Sequence, residues 1–431
     1  MKQFRIALVG LGTVGGGVWR HLHANLAQLK LRTGAEISVT RTVARRPERA
    51  AELGVPAELN RTDWREVVAD PEVDCVVELI GGTSDACELV TAALGNGKHV
   101  VTANKALLAE HGHRLFALAQ EKGLQLLFEA SVAGGIPYIK AQREGLIANR
   151  LREIYGIVNG TCNYILDRML THEIDYATAL TDAKQAGYAE ADESLDVDGH
   201  DSAHKAAIIA ALAYGFWVPG RELFTEGIRG IARQDLVTAR TLGYEVKLLA
   251  VIKCAEDQQV EVRVHPTLIP KDHPLAAVDS VYNGLFTVGD IVGNTMFYGM
   301  GAGADPTASA VLADIAEIAC HFPESRAWQP ITDESTAHRL KPMDDIVSRY
   351  YLRLSVIDRP GVMATLCEVF GRRGIGLSSI HQDESEEGGT ATLIFMVHDA
   401  CERTFAAALD EIAQLDLVQA PPVRLRVEDL P

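Results

Sequence analysis

The sequence predicts an α/β chain in three parts: an open parallel sheet over residues 1–136, a mixed α+β segment over 137–320, and, after a linker at 321–348, a βαββαβ tail over 349–431. Three observations carry this. Short apolar runs alternate with helical patterns through the first part, a glycine-rich turn follows the first of those runs, and the tail repeats strand and helix signals in βαββαβ order. A chain of 431 residues is also too long for one ordinary core.

The first strand is expected at Phe4–Val9 and leads directly into Gly10-Leu11-Gly12-Thr13-Val14-Gly15 and a helical run, VWRHLHANLAQL. In this setting Gly10 permits the tight turn, Gly12 lets a pyrophosphate approach the backbone, and Gly15 lets the helix pack close to the sheet. The helix N-terminus adds unpaired N–H groups. The segment therefore predicts a Rossmann-type nucleotide-binding domain; the alternative is a glycine-rich turn with another ligand or none. The second strand, Glu36–Val43, runs into Ala44-Arg45-Arg46-Pro47 with no acid to hold a ribose 2'-hydroxyl. Arg45, with Arg46, suits a 2'-phosphate, so NADP(H) is favoured over NAD(H); the plain alternative is an ordinary basic loop. Strands at Val73–Ile80, Lys98–Thr102 and Leu124–Phe128, with helices at Ser84–Asn96 and Ala106–Lys122, continue the pattern. Lys105 and Glu129 fall at strand carboxyl ends, where such sheets bind ligands. A lysine at a helix start opposes the helix dipole, which favours a functional role for Lys105.

In the middle segment a strand at Leu151–Val158 leads through a polar turn, Asn159–Asn163, to helices at Tyr164–Leu170 and Tyr176–Ala186. The stretch Gly187–Lys205 then concentrates Glu190, Asp192, Glu193, Asp196, Asp198 and Asp201 ahead of Lys205 and an apolar helix, which Asp198 or Asp201 is expected to cap. Asp201 and Lys205 are four apart and share a helix face. A lysine among carboxylates is a candidate acid/base group, against the bland alternative of a solvated acidic loop. The acidic spacing does not match a calcium loop, and His200 and His204 lack the intervening glutamate of a zinc motif. Strands follow at Tyr244–Ala255, Val260–Ile269, Phe286–Val292 and Thr295–Gly299, and a second glycine-rich turn opens the helix Thr307–Ile318. That helix is expected to return to the first domain, which would set the acidic loop over the nicotinamide.

These motifs together carry a resemblance. GLGTVG, TANK at Thr102–Lys105, EASVAGGIP at Glu129–Pro137, NGTCNYI at Asn159–Ile165, the acidic stretch and GAGADPTASAV at Gly301–Val311 span nearly the whole chain. It closely resembles the homoserine dehydrogenase family, in the monofunctional form without an aspartate kinase portion. The resemblance implies interconversion of L-homoserine and L-aspartate 4-semialdehyde, mainly by reduction with NADPH, on the branch towards threonine, methionine and isoleucine. It implies Lys205 as proton donor, with Asp201 placing substrate and lysine, and Lys105 near both substrate and cofactor. Glu190, with Asp196 and Asp201, is expected to bind substrate. Gly12, Thr13, Val14, Arg45, Lys105 and Gly303 fall at cofactor-contact positions, beside Gly10 and Gly15 of the fingerprint. A monovalent cation, usually sodium, is implied at Glu129 and the carbonyls of Val132, Gly134 and Ile136, as structural support. The chemistry is coherent. Carboxylates pair with the substrate ammonium, and a lysine ammonium stabilises and then protonates the oxygen on which charge develops. A two-domain cleft would bring the reacting atoms to about 3–3.5 Å. The surrounding carboxylates favour a protonated Lys205, an acid in the reductive direction.

In the tail, the polar, proline-containing run His321–Asp345 reads as linker. Strands are expected at Tyr350–Val356, Ile375–His381, Thr390–Val397 and Val423–Val427, with helices at Val362–Arg372 and Cys401–Leu415. With Asp358-Arg359-Pro360-Gly361 at its first turn, the tail resembles an ACT-type regulatory domain. Such domains pair side by side and bind amino acids where they meet. This implies feedback inhibition with threonine as effector, through Asp358, Gly361 and Val362. The plain alternative is a small domain that only holds subunits together. The family dimerises through its middle-domain sheet, so a homodimer, or a homotetramer through paired tails, is expected.

A net charge of -17, from 41 basic and 58 acidic residues, argues against nucleic acid or an anionic membrane as partner. Seven cysteines without a CxxC pair read as reduced thiols of a cytoplasmic protein. MKQFR runs straight into a strand, so no signal peptide is expected, and no apolar run reaches membrane-spanning length. Two other readings compete: a dehydrogenase for another small amino acid or aldehyde, and a silent amino-acid sensor. Lys105, Glu190, Asp201 and Lys205 together speak against the silent one.

Overall fold

In the computed structural model, which describes residues 2–324, 338–382 and 389–431, the contacts divide the chain into two units. One comprises Met1–Ile154, Ala203–Leu223 and Tyr282–His338; the other comprises Tyr155–Ser202, Phe224–Val281 and Arg339–Pro431.

The first unit is built on a parallel sheet ordered Asn60–Arg61, Ala35–Val43, Lys2–Val9, Cys75–Glu78, His99–Thr102, Leu126–Leu127. Lys2–Val9 pairs on one side with Ala35–Val43 and on the other with Cys75–Glu78, both parallel. Phe4, Ile6, Ala7, Leu8 and Val9 are all fully buried, because helices cover both faces of such a sheet. Helix Thr13–Thr33 opens at Gly12 and ends at Gly34, whose φ of 68° is the left-handed stop glycine favours. Helix Ala304–His321 belongs to the same core: its Ala308, Val311, Ile315 and Ile318 cluster with Phe4, Leu8, Val18 and Leu22. Within this unit the hairpin Tyr282–Gly289/Gly293–Met300 leaves Tyr298 and Met300 exposed.

In the second unit Tyr244–Cys254 pairs antiparallel with Gln259–Pro270. The tail strands order as Val418–Val427, Val347–Ile357, Thr390–Cys401, Leu377–Gln382. Helices Val362–Arg372 and Glu402–Ala413 supply Leu366, Phe370, Phe405 and Ile412 to one core with Leu352, Leu354 and Phe395. Phe405 stacks on Tyr350 at 4.0 Å between centroids. The last tail strand also pairs with Gln259–Pro270, through Thr267 opposite Arg426 and Leu268 opposite Val427, so the tail sheet runs on into the preceding one.

Several sequence expectations change. Helix Gly160–Thr171 begins four residues before the expected Tyr164, because the Asn159 side chain accepts the Cys162 N–H at 2.8 Å and turns the presumed polar turn into the first helical turn. The next helix starts between Asp198 and Asp201. It spans His200–Tyr214, so Gly199, with φ 86°, stands at its entry and Asp201 lies inside its first turn. The strand expected at Leu124–Phe128 shortens to Leu126–Leu127, since Glu129–Ser131 coils into a 3₁₀ turn. Of the expected linker, 325–337 lies outside the described residues; after it, Arg339–Leu340 pairs with Gln259–Pro270. Among the described residues no helix is long and apolar enough to cross a membrane.

Candidate active site

In the first unit the glycines of the first turn divide the work as their surroundings dictate. A Cβ on Gly10 (φ 107°) would lie 2.5 Å from the Leu79 carbonyl oxygen, and one on Gly15 would lie 2.0 Å from that of Gly10. A Cβ on Gly12 would meet nothing within 4 Å, so the backbone is open to a ligand on that side where Thr13, Val14 and Gly15 begin the helix. A cleft of about 470 Å³ adjoins it, lined by Gly10, Gly12, Arg45, Arg46, Arg49 and Asp85 among others. Arg45 is 78% exposed and, among the described residues, pairs only with the exposed Asp85, at 3.3 Å. An exposed pair of this kind contributes under about 1 kcal/mol, so a phosphate displaces it readily. The cleft's open glycine backbone and arginine rim fit a dinucleotide. Gly303 (φ 117°) precedes helix Ala304–His321, whose Ala304 carbonyl oxygen would lie 2.9 Å from a Cβ on Gly17. The two helices also meet through Asp305, which pairs with His21 at 2.8 Å and Arg20 at 3.3 Å. Gly303 is thereby brought to the fingerprint helix.

Lys105 is the first residue of helix Lys105–Lys122, next to the cap Asn104, whose side chain accepts from Leu107 and donates to the Gly82 carbonyl. Behind it lies a residue that the motifs did not single out. Glu78 is fully buried, accepts from the Ile80 and Gly81 N–H groups and takes the Thr102 hydroxyl at 2.5 Å. Burial raises its pKa. This carboxylate ties the Gly81-Gly82 turn to the TANK segment. An acid ending an otherwise apolar strand, CVVE, was the available signal.

Glu129 is 4% exposed, and its two carboxylate oxygens accept the N–H groups of Ile139 (3.0 Å) and Lys140 (2.8 Å). Its own N–H donates to Asp314 at 2.8 Å. Burial pushes the Glu129 carboxyl up to about 7, against those backbone donors, and pushes Asp314 well above the usual range. Ala133 and Gly134 both turn left-handed (φ 53° and 48°), and a Cβ on Gly134 would lie 2.5 Å from the Gly301 carbonyl oxygen. Among the described residues the Val132 and Gly134 carbonyls accept no hydrogen bond, whereas that of Ile136 accepts the Tyr138 N–H at 2.8 Å. One carboxylate and two carbonyls without donors fit a small hard cation; Ile136 fits less well. Three-residue clusters of His, Cys, Asp or Glu suited to a metal do not occur among the described residues.

In the second unit Asn159 organises the acidic stretch. Its amide donates to Asp196 at 2.7 Å and to Asp201 at 2.9 Å, while its carbonyl oxygen caps the following helix. Asp201 is 3% exposed. Glu190 stands exposed on the loop after helix Tyr176–Gln185. Arg229 holds the stretch from outside, through Asp198 at 2.5 Å and Glu193 at 2.9 Å. The Glu193 carboxyl is lowered to about 2, first by Lys184 and further by Arg229. Lys205, which belongs to the first unit, follows Asp201 by about one turn along helix His200–Tyr214 and is 7% exposed. Asn159 and Arg229 were absent from the sequence-derived site. Asn159 had a visible signal, as a side chain of capping type before a helix. Arg229, far along the chain, had none.

In the tail Asp358, Gly361 and Val362 line one cavity of about 350 Å³ together with Met363, Gln382 and Leu393. Gly361 (φ 92°) caps the helix Val362–Arg372, and the Asp358 N–H donates to the Gly389 carbonyl at 2.9 Å.

Comparison with known proteins covers the whole chain. The family profile described as "Homoserine dehydrogenase, NAD binding domain" matches residues 10–129, "Homoserine dehydrogenase" matches 137–316, and "ACT domain" matches 350–417. The homoserine dehydrogenase of Pseudomonas aeruginosa is 44% identical over 438 residues, covering 100% of both chains; that of Neisseria gonorrhoeae is 42% identical over 437 residues with the same coverage. A crystal structure of a homoserine dehydrogenase from Thiobacillus denitrificans superposes with a TM-score of 0.93 at 42% identity, over 100% of this chain and 99% of that one. A hyperthermophilic archaeal homoserine dehydrogenase in complex with NADPH matches with a TM-score of 0.64 at 27% identity, over 74% of this chain and 99% of its own.

Proposed function

The chain belongs to the homoserine dehydrogenase family of NAD(P)-dependent oxidoreductases, and from that premise we propose that it reduces L-aspartate 4-semialdehyde to L-homoserine with NADPH. This step lies on the branch towards threonine, methionine and isoleucine. The observation that carries the reading is the helix His200–Tyr214, on which a buried aspartate precedes a buried lysine by one turn while Asn159 ties that aspartate to Asp196.

The nicotinamide, when bound, supplies the hydride. The chain's residues do the rest. Asp201 and Asp196, fixed by Asn159, take the substrate ammonium, together with Glu190 from the more open loop. Lys205 and Lys105 place positive charge at the carbonyl, and Lys205 Nζ delivers the proton as the oxygen gains charge. NADP(H) preference is supported by Arg45 and by the absence of an acid after the second strand; the relative solved with NADPH agrees. Gly10, Gly12, Thr13, Val14, Gly15 and Gly303 would hold its phosphates and ribose. A monovalent cation, sodium by family resemblance, would sit at Glu129, Val132 and Gly134, with Ile136 at its edge, as a brace for the loop.

The functional division we read is nucleotide binding over 1–136, catalysis over 137–320, a linker over 321–348 and an ACT domain over 349–431. Threonine is the proposed effector, at Asp358, Gly361 and Val362, supported by the cavity those residues line. Exposed Tyr298 and Met300 support a homodimer, with a tetramer if the tails pair. Seven free cysteines fit a cytoplasmic location.

The test is a steady-state assay of the purified chain with aspartate semialdehyde and NADPH or NADH, with and without threonine, beside a Lys205→Met variant. Turnover should favour NADPH, fall with threonine, and drop by about 10²- to 10⁴-fold in the variant while NADPH binding persists. A variant with wild-type turnover would remove Lys205 as proton donor.

A further inference from the structure

Residues 224–229 touch two parts of the second unit that the function treats separately. Phe224–Thr225 adds to the edge of Gln259–Pro270, with Phe224 opposite Arg263 and Thr225 opposite Val264. The Glu226 N–H then donates to the Val264 carbonyl at 2.8 Å. The Glu226 carboxylate is taken by the last ACT strand, through Arg424 at 3.0 Å and Arg426 at 2.7 Å. Arg426 is fully buried and also grips Glu402, the first residue of helix Glu402–Ala413, with Nε at 3.0 Å and a terminal nitrogen at 2.6 Å. Its guanidinium lies 4.7 Å above the Phe224 ring.

The next three residues face the acidic stretch. A Cβ on Gly227 would lie 2.1 Å from the Val197 carbonyl oxygen and 2.5 Å from the Asp198 Cα, so the two backbones are in direct contact. The Ile228 N–H donates to the Val197 carbonyl at 2.8 Å, and Arg229 pairs with Asp198 and Glu193. On the other side Gly199 would, with a Cβ, meet the Thr225 methyl at 2.9 Å. Residues gripped by the ACT strand are therefore directly joined to residues that fix the loop carrying Asp196 and leading to Asp201. The link consists of the Glu226 carboxylate, the close backbone contacts at Gly227 and Gly199, the Ile228 hydrogen bond and the Arg229 ion pairs.

We propose that residues 224–229 form a strap through which the ACT domain sets the position of the substrate-binding loop, with Glu226 as its receiving end and Arg229 as the positioning residue. A change in the ACT strand shifts Arg424 and Arg426, moves Glu226, and re-aims Asp196 and Asp201. The role given to the acidic loop rests on the proposed reaction; the mechanical link does not.

Hydrogen exchange of the full chain, read by mass spectrometry without substrate, tests the link directly in Arg424→Gln, Arg424→Lys and Arg229→Gln. Among the described residues the ion pairs of Arg424 go to Glu226 and Glu402 and not to the acidic loop, so an effect there must be transmitted. The expected result for R424Q is exchange about fivefold faster at both 224–229 and 190–199, a size usual for coupling through packed networks, with R424K restoring both. R229Q should loosen 190–199 alone. In steady state R424Q should raise the KM for homoserine about fivefold with the KM for NADP unchanged. Exchange at 190–199 that stays at the wild-type rate in R424Q overturns the strap, and so does loop opening with an unchanged homoserine KM. Absence of turnover in the wild type would instead overturn the proposed reaction, leaving the exchange result to decide the strap.

Discussion

Arg45 and Glu129 show how much one side chain's surroundings decide. Arg45 is exposed and, among the described residues, held only by a weak surface pair, so almost all of its interaction energy is available to a ligand. Charge-assisted bonds to a 2'-phosphate contribute about 1.5–3 kcal/mol, so Arg45→Ala should raise the KM for NADPH by about 10- to 100-fold. The KM for NADH should stay unchanged; equal losses for both cofactors would remove Arg45 from the specificity argument. Glu129 is the opposite case, a carboxyl whose burial raises its pKa from 4.5 to about 7. Within that window the folded chain keeps a proton that the unfolded chain has released, so stability falls as pH rises, by up to ~3 kcal/mol for this group alone. Asp314 is shifted in the same direction and adds to the slope. A cation meeting the ionised carboxylate offsets the loss. Replacing choline by sodium should therefore raise Tm at pH 8 but not at pH 5, and Glu129→Gln should abolish the difference. Equal melting curves in both salts at pH 8 would remove the cation.

Among the elements, helix Gly160–Thr171 couples folding to chemistry through its cap. Asn159 uses its carbonyl oxygen to start the helix and its amide to hold Asp196 and Asp201. Asn159→Ala should cost about 1 kcal/mol as a lost cap. It should also lower kcat by about 10- to 100-fold, since two carboxylates lose their common donor and their positions. A lowered Tm with wild-type kcat would confine Asn159 to folding. The capping residue type was legible in the sequence; that the same side chain bridges two carboxylates about forty residues further on was not. Helix Val362–Arg372 lies where its periodicity put it, because the left-handed Gly361 before it and its one apolar face are both local signals. Strands blurred most at their ends. Thr390–Cys401 and Val418–Val427 run past their expected limits, since pairing rather than composition decides where a strand stops.

Across the whole molecule, the second unit depends on charges buried where the ACT strand meets the preceding sheet. Arg426 is fully buried among Glu402, Glu226 and the Phe224 ring. Near it, the 1% exposed Arg263 pairs with the 4% exposed Glu428 at 2.7 Å. Removing one partner strands the other in a low dielectric, so Arg426→Met should destabilise the chain by about 3–5 kcal/mol, read as a large drop in Tm. A shift within error would mean that water reaches Glu402. By itself the sequence determined the parallel nucleotide-binding sheet, the glycine turn, the acidic stretch with Lys205 one turn beyond Asp201, and the βαββαβ tail. Each of these is written in residues close together in the chain, where periodicity, capping and spacing act. Only the tertiary structure decided that Glu78 braces the TANK turn, that Asn159 gathers the carboxylates, and that the tail sheet continues into the preceding one. The same holds for the grip of Arg426 on Glu226, two residues 200 positions apart. Such contacts leave no local mark, because burial and pairing between distant segments exist only once the chain has closed on itself.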